Sequence, residues 1–331
     1  MLETRVKAAG GSGAVADLPI AVSLSPSARR VIRVIAAAVV GGQVIGTVAA
    51  LWLAVAYGIS MVSSAIFFIM YVWTTLSVTV GFHRHFSHRS FRTSRWMRGM
   101  FVIGGSMAFQ GPLVYWVSTH RRHHQFSDAP GDPHSPHLHG GSWREWWRGF
   151  WHSHTGWLFA PDITNAPRFV PDILSDPYVF RMQQRYMLWA LLGLVLPAVV
   201  GLLASGTLYG ALEGFLWGGP VRLFVVSNVS WAVGSVSHLW GRRPFETHDH
   251  SANNFWVSLL AFGEGLQNNH HAFPAAARHA FEWWEPDFSG WVIGHLERLG
   301  LIWDLKQPGP SAIENKRRVG LASFAKRSVG Q

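Results

Sequence analysis

Long apolar stretches alternate with polar, histidine-rich stretches along the chain. Uncharged or nearly uncharged runs lie at about 35–57, 61–82, 186–208 and 214–236. About 20 apolar residues are enough to cross a bilayer as a helix, so we predict four transmembrane helices. The break at Gly58-Ile59-Ser60 and the short connection Ser205–Glu213 would join them as two hairpins. The pattern predicts an all-α integral membrane protein.

Basic residues are distributed unevenly around these runs. Residues 83–185 contain twelve arginines, whereas the connection 205–213 contains no Lys or Arg. The positive-inside tendency therefore places both termini and a histidine-rich cap, formed by 83–185 and 237–305, in the cytoplasm. We expect a multi-pass protein of a bacterial cytoplasmic membrane. A flexible N-terminal tail (1–28) and a disordered basic C-terminal tail (306–331) would flank the membrane domain 29–305.

Composition narrows the chemistry. Of 331 residues, 49% are hydrophobic and only 14% are charged. Cysteine is absent, which excludes disulfides, thiolate zinc sites and cysteine-ligated iron–sulfur clusters. The net charge of +10 fits cytoplasmic loops that lie beside anionic lipid head groups. No aromatic–basic RNA-binding motif is present, so we predict no nucleic-acid partner.

Histidines gather in three motifs and at one further position, each beside a predicted span on the cytoplasmic side. The motifs are GFHRHFSHRSF, WVSTHRRHHQF and GLQNNHH, and the further position follows span four in GSVSHLW. The histidines are His83, His88, His120, His123, His124, His238, His270 and His271. Spacings of three and four in the second motif place its histidines on one helical face. Residues five apart on an ideal α-helix, such as His83 and His88, need not share a face.

A set of buried imidazoles favours metal binding, because imidazole is a common ligand of iron, zinc and copper. Eight histidines exceed the needs of one tetrahedral ion, so two metal ions sharing them is the economical count. Iron is the natural metal for oxygen chemistry. The alternative is a cytoplasmic cap that is rich in histidine by coincidence and binds no metal.

The same motifs resemble the three histidine boxes of the integral-membrane fatty acid desaturases, most closely those of delta-9 type. The neighbouring segments GDPHSP, SHTGWLF, SHLWGRRPFET and GEGLQNNHHAFP are similar too, and the resemblance runs from about Phe82 to Asp304. It implies a di-iron centre ligated by the eight histidines. It also implies that O2 and two external electrons remove two hydrogens from the acyl chain of a lipid or an acyl-CoA.

The resemblance implies partners as well. Without cysteine the electrons must come from an external redox protein of ferredoxin, rubredoxin or cytochrome b5 type and its reductase. We expect an acidic donor of this kind to dock on arginines around 144–148, although lipid phosphates would suit the same arginines. Trp116, one helical turn before His120, is a candidate wall of the acyl tunnel or an interfacial aromatic.

Several positions depart from the family pattern. Gln267 stands where many members have a metal-binding histidine, and Gly234 stands where the animal enzymes have an asparagine that holds a water on the metal. Ser118 and Thr119 replace the charged residues of the animal acyl-CoA enzymes, which makes the second motif nearer to acyl-lipid enzymes.

Two carboxylates are candidates for orienting imidazole N–H groups. They are Asp132 in GDPHSP and Glu264 in GEG, and each could instead cap a helix or fix a loop.

Two other functions remain open at this point. A hydroxylase would use the same centre on a lipid or an alkane, and box spacing does not decide between loss of hydrogen and gain of oxygen. A non-catalytic membrane metal-binding protein would carry Gln267 and Gly234 as marks of a decayed site.

Overall fold

The computed structural model describes residues 17–317, and these are mostly helical. The helices are α1 (Pro26–Tyr57), α2 (Met61–Leu76), α3 (Arg95–Met107), α4 (Leu113–Phe126), α5 (Trp143–His154), α6 (Ala166–Phe169), α7 (Pro171–Leu174), α8 (Pro177–Gln184), α9 (Tyr186–Ser205), α10 (Leu208–Leu216), α11 (Arg222–Leu239), α12 (Phe255–Leu260), α13 (Gln267–Ala272) and α14 (Phe288–Arg298). A π-helix, Ser77–Ser87, extends α2, and a second, Trp217–Val221, joins α10 to α11.

Short strands tie distant segments together. They are β1 (Ala21–Ser23), β2 (Arg92–Thr93), β3 (Asp162–Thr164) and β4 (Ile302–Trp303). Strand β1 pairs antiparallel with β3, and β2 pairs antiparallel with β4. A short 3-10 helix, Gly156–Phe159, precedes β3.

Three helical stretches of the described chain are long and apolar enough to cross a membrane: α1, α2 with its π-helical extension, and α9. The prediction of a mostly helical membrane protein is confirmed in this form. The fourth predicted span falls on the continuous helix from Leu208 to Leu239. This helix contains Glu213 and Arg222, so the fourth span and the two-hairpin arrangement stay predictions.

The predicted break between the first two spans is present, and its residues cap both helices. Gly58 ends α1 with a φ of 81°, a conformation that glycine adopts without strain. The Ser60 hydroxyl accepts a hydrogen bond from Ser63 N at the start of α2. The Glu213 carboxylate in turn accepts from Ser60 N (2.8 Å) and Ser60 Oγ (2.6 Å), which links this turn to α10.

Arg222 is fully buried and bonds to backbone carbonyls rather than to a carboxylate. Its guanidinium donates to Gly218 O (2.9 Å), Met107 O (2.5 Å) and Gly193 O (2.9 Å). Pro197 has no N–H, so the Gly193 carbonyl lacks its intrahelical donor. Arg222 satisfies this carbonyl where α3, α9 and α11 meet. A buried cation at membrane depth is tolerated when neighbouring backbone groups pair with it.

The two predicted tails are only partly described. Most of the N-terminal stretch, residues 1–16, lies outside the described residues. A flexible tail is predicted over 1–28, but in its described part Ala21–Ser23 form a strand that pairs with β3. Helix α1 already begins at Pro26. In the C-terminal stretch, residues 310–317 are helical, and Lys316 Nζ donates to Ala272 O (2.5 Å) beside α13. The rest of that stretch, 318–331, is not described.

The main apolar core lies under the histidine-rich part of the chain. It contains Phe82, Leu113, Val117 and Val170, each at most 1% exposed. The core holds the π-helical end of α2 against α3 and α4. It thereby fixes the two elements that carry the first two histidine motifs.

Candidate metal centre

Four elements bring the eight predicted histidines together in one buried region. The π-helix that extends α2 carries His83 and ends at His88. Helix α4 supplies three histidines, the end of α11 supplies His238, and α13 supplies His270 and His271. The histidines form two groups. The first contains His83, His88, His120, His124 and His270, and the second contains His123, His238 and His271.

Nitrogen atoms of the first group converge on one point. All five residues offer a ring nitrogen within 4.8 Å of the others. The Nε2–Nε2 distances are 3.0 Å for His83–His270, 2.8 Å for His88–His120 and 2.9 Å for His124–His270. Two imidazole ligands at right angles, each about 2.1 Å from a metal, lie about 3.0 Å apart. The nitrogens therefore have the spacing of ligands around one ion.

The π-helix explains how His83 and His88 join the same group. A π-helix bonds each N–H to the carbonyl five residues earlier, so residues five apart lie on nearly the same face. His88 N donates to His83 O at 3.2 Å in this pattern, and the two rings are 4.9 Å apart. The wider helix places on one face a pair that an α-helix would separate.

In the second group a separate aspartate holds each imidazole. The Nδ1 atoms of His123, His238 and His271 donate to Asp132 (3.0 Å), Asp128 (2.9 Å) and Asp249 (2.5 Å). The three Nε2 atoms are buried and have no hydrogen-bond partner among the described residues. A carboxylate that binds Nδ1 fixes the ring orientation and leaves Nε2 free for a metal.

The charge states suit metal binding. Burial and neighbouring histidines hold the pKa values of His120, His124 and His270 well below the usual range, so these rings are neutral. Burial lowers the pKa of His271 to about 4, although Asp249 opposes the change. Burial also acts to lower the pKa of His123, but Asp132, Asp128 and Asp249 together outweigh it, and the net pKa is raised. Neutral imidazole is the form that binds a divalent metal, so the first group is ready to bind one, whereas a metal at the second group competes with a proton on His123.

Both carboxylates proposed from the sequence lie against a predicted ligand. Asp132 contacts His123, and the Glu264 carboxylate contacts His83 Nδ1 and also accepts from Arg84. Sequence reasoning missed Asp128 and Asp249. They lie in loops, in FSDAP and THDHS, where spacing gives no signal of a histidine partner.

The departures from the family pattern lie at the same site. Gln267 is 3% exposed, and its Oε1 has no partner among the described residues. Gly234 faces the ring of His134, a histidine that sequence reasoning did not select. His279, 1% exposed, was also missed. Its ring is 4.5 Å from that of His270, and Arg84 lies 3.3 Å from its Nδ1.

A largely apolar cavity of about 310 Å³ leads to the histidines. It is lined by Ile35 and Val39 of α1 and by Tyr115 and Trp116 of α4, and it reaches His120. The Trp116 ring stacks on His120 with 5.2 Å between centroids, and its Nε1 donates to Gln110 (3.1 Å). Trp116 thus lies in the wall of this cavity.

Comparison with known proteins agrees with this site. The family model for fatty acid desaturases matches residues 59–285. A hex-5-enoyl-(acyl-carrier protein) acetylenase of Moorena producens is 42% identical over 82% of this chain and 86% of its own length. An sn-1 stearoyl-lipid 9-desaturase of Synechocystis is 40% identical over 75% of this chain and 73% of its own. A delta-9 acyl-lipid desaturase of Arabidopsis thaliana is 36% identical over 76% of this chain and 77% of its own length. The chain belongs to the fatty acid desaturase family and is an enzyme that desaturates fatty acyl chains.

Proposed function

We propose that this enzyme introduces a delta-9 double bond into a fatty acyl chain carried by a membrane lipid, using O2, two external electrons and two iron ions. The observation that carries the proposal is the pair of histidine groups at the end of an apolar cavity. Relatives named as acyl-lipid 9-desaturases support the lipid carrier and the position. Acyl-CoA is the second carrier, and the acyl-carrier protein in one relative's name is a third.

Each histidine group would hold one iron. The first iron would be bound by His83, His88, His120, His124 and His270, and the second by His123, His238 and His271. Bound iron would supply the O2 activation needed to break an unactivated methylene C–H bond. The apolar cavity would hold the acyl chain straight and exclude water. The reacting methylene groups would then already be oriented for the reaction, which lowers its entropic cost. Trp116 would form one wall beside His120.

Expression in a host with defined lipids tests this function. The expected result is a new delta-9 alkene in the total fatty acids that depends on O2 and contains no 18O from labelled O2. His124→Ala and His271→Ala, one from each group, should both abolish the product. An 18O-labelled alcohol would identify a hydroxylase instead. Bound metal without any O2-dependent product, even with electrons supplied, would identify a non-catalytic protein.

An acidic redox protein is the proposed electron donor, and α5 is the proposed docking element. Arg144 and Arg148 are exposed and lie one turn apart on it. Trp143 and Trp147 lie on the same helix and are 70% and 55% exposed. Their rings would lie at the surface of the lipid bilayer. Replacing both arginines with Gln should weaken reductase-coupled turnover at low salt and leave turnover with a small-molecule reductant unchanged. Arg278→Gln, at an exposed arginine paired with Glu297, is the matched control. Equal turnover of both variants at every salt concentration would assign Arg144 and Arg148 to lipid phosphates.

The proposed topology has four membrane spans, with both termini and the metal centre on the cytoplasmic side. Because the chain has no cysteine, single-cysteine variants report topology directly. In intact cells an impermeant maleimide should label Ile59→Cys and Tyr209→Cys. Gly141→Cys and Trp283→Cys should react only after lysis. Labelling of Trp283→Cys in intact cells would exclude the fourth span.

A further inference from the structure

His134 lies beside the second histidine group without belonging to it. Its ring stacks on His123, with 4.5 Å between centroids and 27° between planes. Its side chain is only 15% exposed and lines the apolar cavity. Its Nδ1 is buried and has no hydrogen-bond partner within the described chain. A buried polar atom of this kind normally has a partner, which points to a ligand in the cavity.

The position of the ring is fixed by the same aspartate that serves His123. Asp132 accepts from His134 N at 3.0 Å and from His123 Nδ1 at 3.0 Å. The His134 Nδ1 atom is 3.9 Å from Asp132, too far for a hydrogen bond. Asp132 therefore holds the backbone of His134 and leaves its ring nitrogen free for another partner.

Gly234 leaves room for this ring. It lies on α11, one turn before His238, and a Cβ atom built there would be 3.3 Å from His134 Nδ1. A larger side chain at position 234 would therefore compete with the imidazole for the same space. The ring nitrogen occupies the place where a polar side chain of α11 would otherwise project.

The second group also has fewer nitrogen donors than the first, three against five. His134 is absent from that set of three, but a nitrogen of its ring lies within 4.8 Å of ligand atoms of His123 and Asp132. It therefore borders the second metal position beside His123, a place that suits contact with a metal through one water. A single water between Nδ1 and a metal spans about 5 Å, the sum of one hydrogen bond and one metal–oxygen bond.

We propose that His134 is a positioning residue whose Nδ1 hydrogen-bonds a water ligand at the second metal position, in the role that a side chain at Gly234 cannot fill. This inference rests on the proposed metal pair. It gives the unpaired His134 nitrogen a partner. It also explains why the ring stacks on His123 and why position 234 is a glycine. Gln267 lines the same cavity with its own unpaired Oε1 and would border the water from α13.

Azide is the probe, because it replaces water on ferric iron and can accept the same hydrogen bond. The experiment titrates azide into the purified, iron-loaded, oxidised full-length enzyme and measures iron content in parallel. His134→Ala should keep its iron and bind azide about five- to tenfold more weakly, the effect of losing one hydrogen bond. His134→Gln, which retains an N–H donor, should bind azide within about twofold of the parent protein.

Two further variants separate positioning from packing. His134→Phe keeps a ring stacked on His123 but has no donor, so it should bind azide as weakly as His134→Ala. Adding Gly234→Asn to His134→Ala should restore azide binding, because the space beside α11 is then open to the new amide. His154→Gln is the control, since both ring nitrogens of His154 bond to Ser235 and Asn228 outside the histidine groups.

Two results would overturn the inference. Parent-like azide binding by His134→Phe would reduce His134 to a packing residue. Loss of half of the iron from His134→Ala would make it a direct ligand or a folding element. Product analysis of the parent protein is run separately, so a protein that binds iron and azide as expected but makes no alkene would refute the proposed function alone.

Discussion

The two histidine groups are held in place by different means. In the second, each of three imidazoles donates to its own aspartate, at 2.5 to 3.0 Å. In the first, five imidazoles crowd together, and among the described residues one carboxylate, Glu264, contacts a single member, His83. Glu264 is also shared with the fully buried Arg84. The second group is oriented by side-chain hydrogen bonds, whereas the first depends mainly on the backbone of the π-helix, α4 and α13.

This difference has a consequence for assembly. Carboxylates that bind Nδ1 preorganise a ring before metal arrives and raise its basicity. A group positioned mainly by helix geometry keeps its shape only while those helices pack against the core. We therefore expect the second group to respond to single carboxylate changes and the first to respond to changes in its helices.

The largest effect should come from removing one ligand of either group. His88→Ala and His271→Ala should each reduce desaturation to background, because both metal positions are needed for the reaction. Each variant should also lose about half of its iron, since the other group remains intact. Elemental analysis and fatty-acid profiling of the same membranes check both expectations. Loss of all iron from either variant would show that the groups bind metal as one unit.

A smaller effect should follow from changing the carboxylates. Asp249→Asn should weaken metal binding at the second group by about 10- to 100-fold and leave the first unaffected. Glu264→Gln should instead lower the melting temperature of the metal-free protein, because it leaves Arg84 buried with Asp287 as its remaining carboxylate. Metal titration and thermal unfolding in detergent distinguish the two. A fall in melting temperature with Asp249→Asn but not with Glu264→Gln would reverse the comparison.

Acidification should also distinguish the two groups, with a smaller effect than the carboxylate changes. The raised pKa of His123 means that protons compete with metal there at higher pH than at an ordinary histidine. As pH falls through that pKa, affinity at the second group should drop about tenfold per unit. In the first group the pKa values of His120, His124 and His270 lie well below 6.5, so protons compete only at lower pH. Iron release on acidification should show two steps.

The His271→Ala variant provides the control for this titration, because it should show only the more acidic step. The metal-free protein should also lose stability as pH falls below 6.5. Histidines whose pKa is lowered by folding take up protons more readily in the unfolded state, which acid therefore favours. A single release step common to both groups would contradict the assignment of His123.

Much of the site could be predicted from the sequence, because histidine spacing and the similarity of the motifs identified all eight histidines of the two groups. The π-helix could not, since hydrophobic periodicity carries no signal for a five-residue hydrogen-bond pattern. Asp128 and Asp249 could not either, because their partners are distant in sequence, and Asp128 reaches His238 across 110 positions. The fourth span remains a prediction because Arg222 lowers the hydropathy of its helix. Hydropathy counts the full charge of this arginine, although buried carbonyls accept its hydrogen bonds.

Trp116 offers the smallest and most selective test of the comparison, because it touches the first group and lines the cavity at the same time. Trp116→Phe keeps an aromatic ring against His120 but loses the hydrogen bond from Nε1 to Gln110, worth about 1 kcal/mol. We expect iron content and azide binding to stay at parent levels. Turnover should fall about fivefold, and the yield should shift between acyl chains of different length as the wall of the cavity moves. Gas chromatography of products from cells fed saturated fatty acids of different chain lengths measures both changes. If iron fell instead, the ring would serve to hold His120 rather than to shape the cavity, and the first group would depend on a side chain after all.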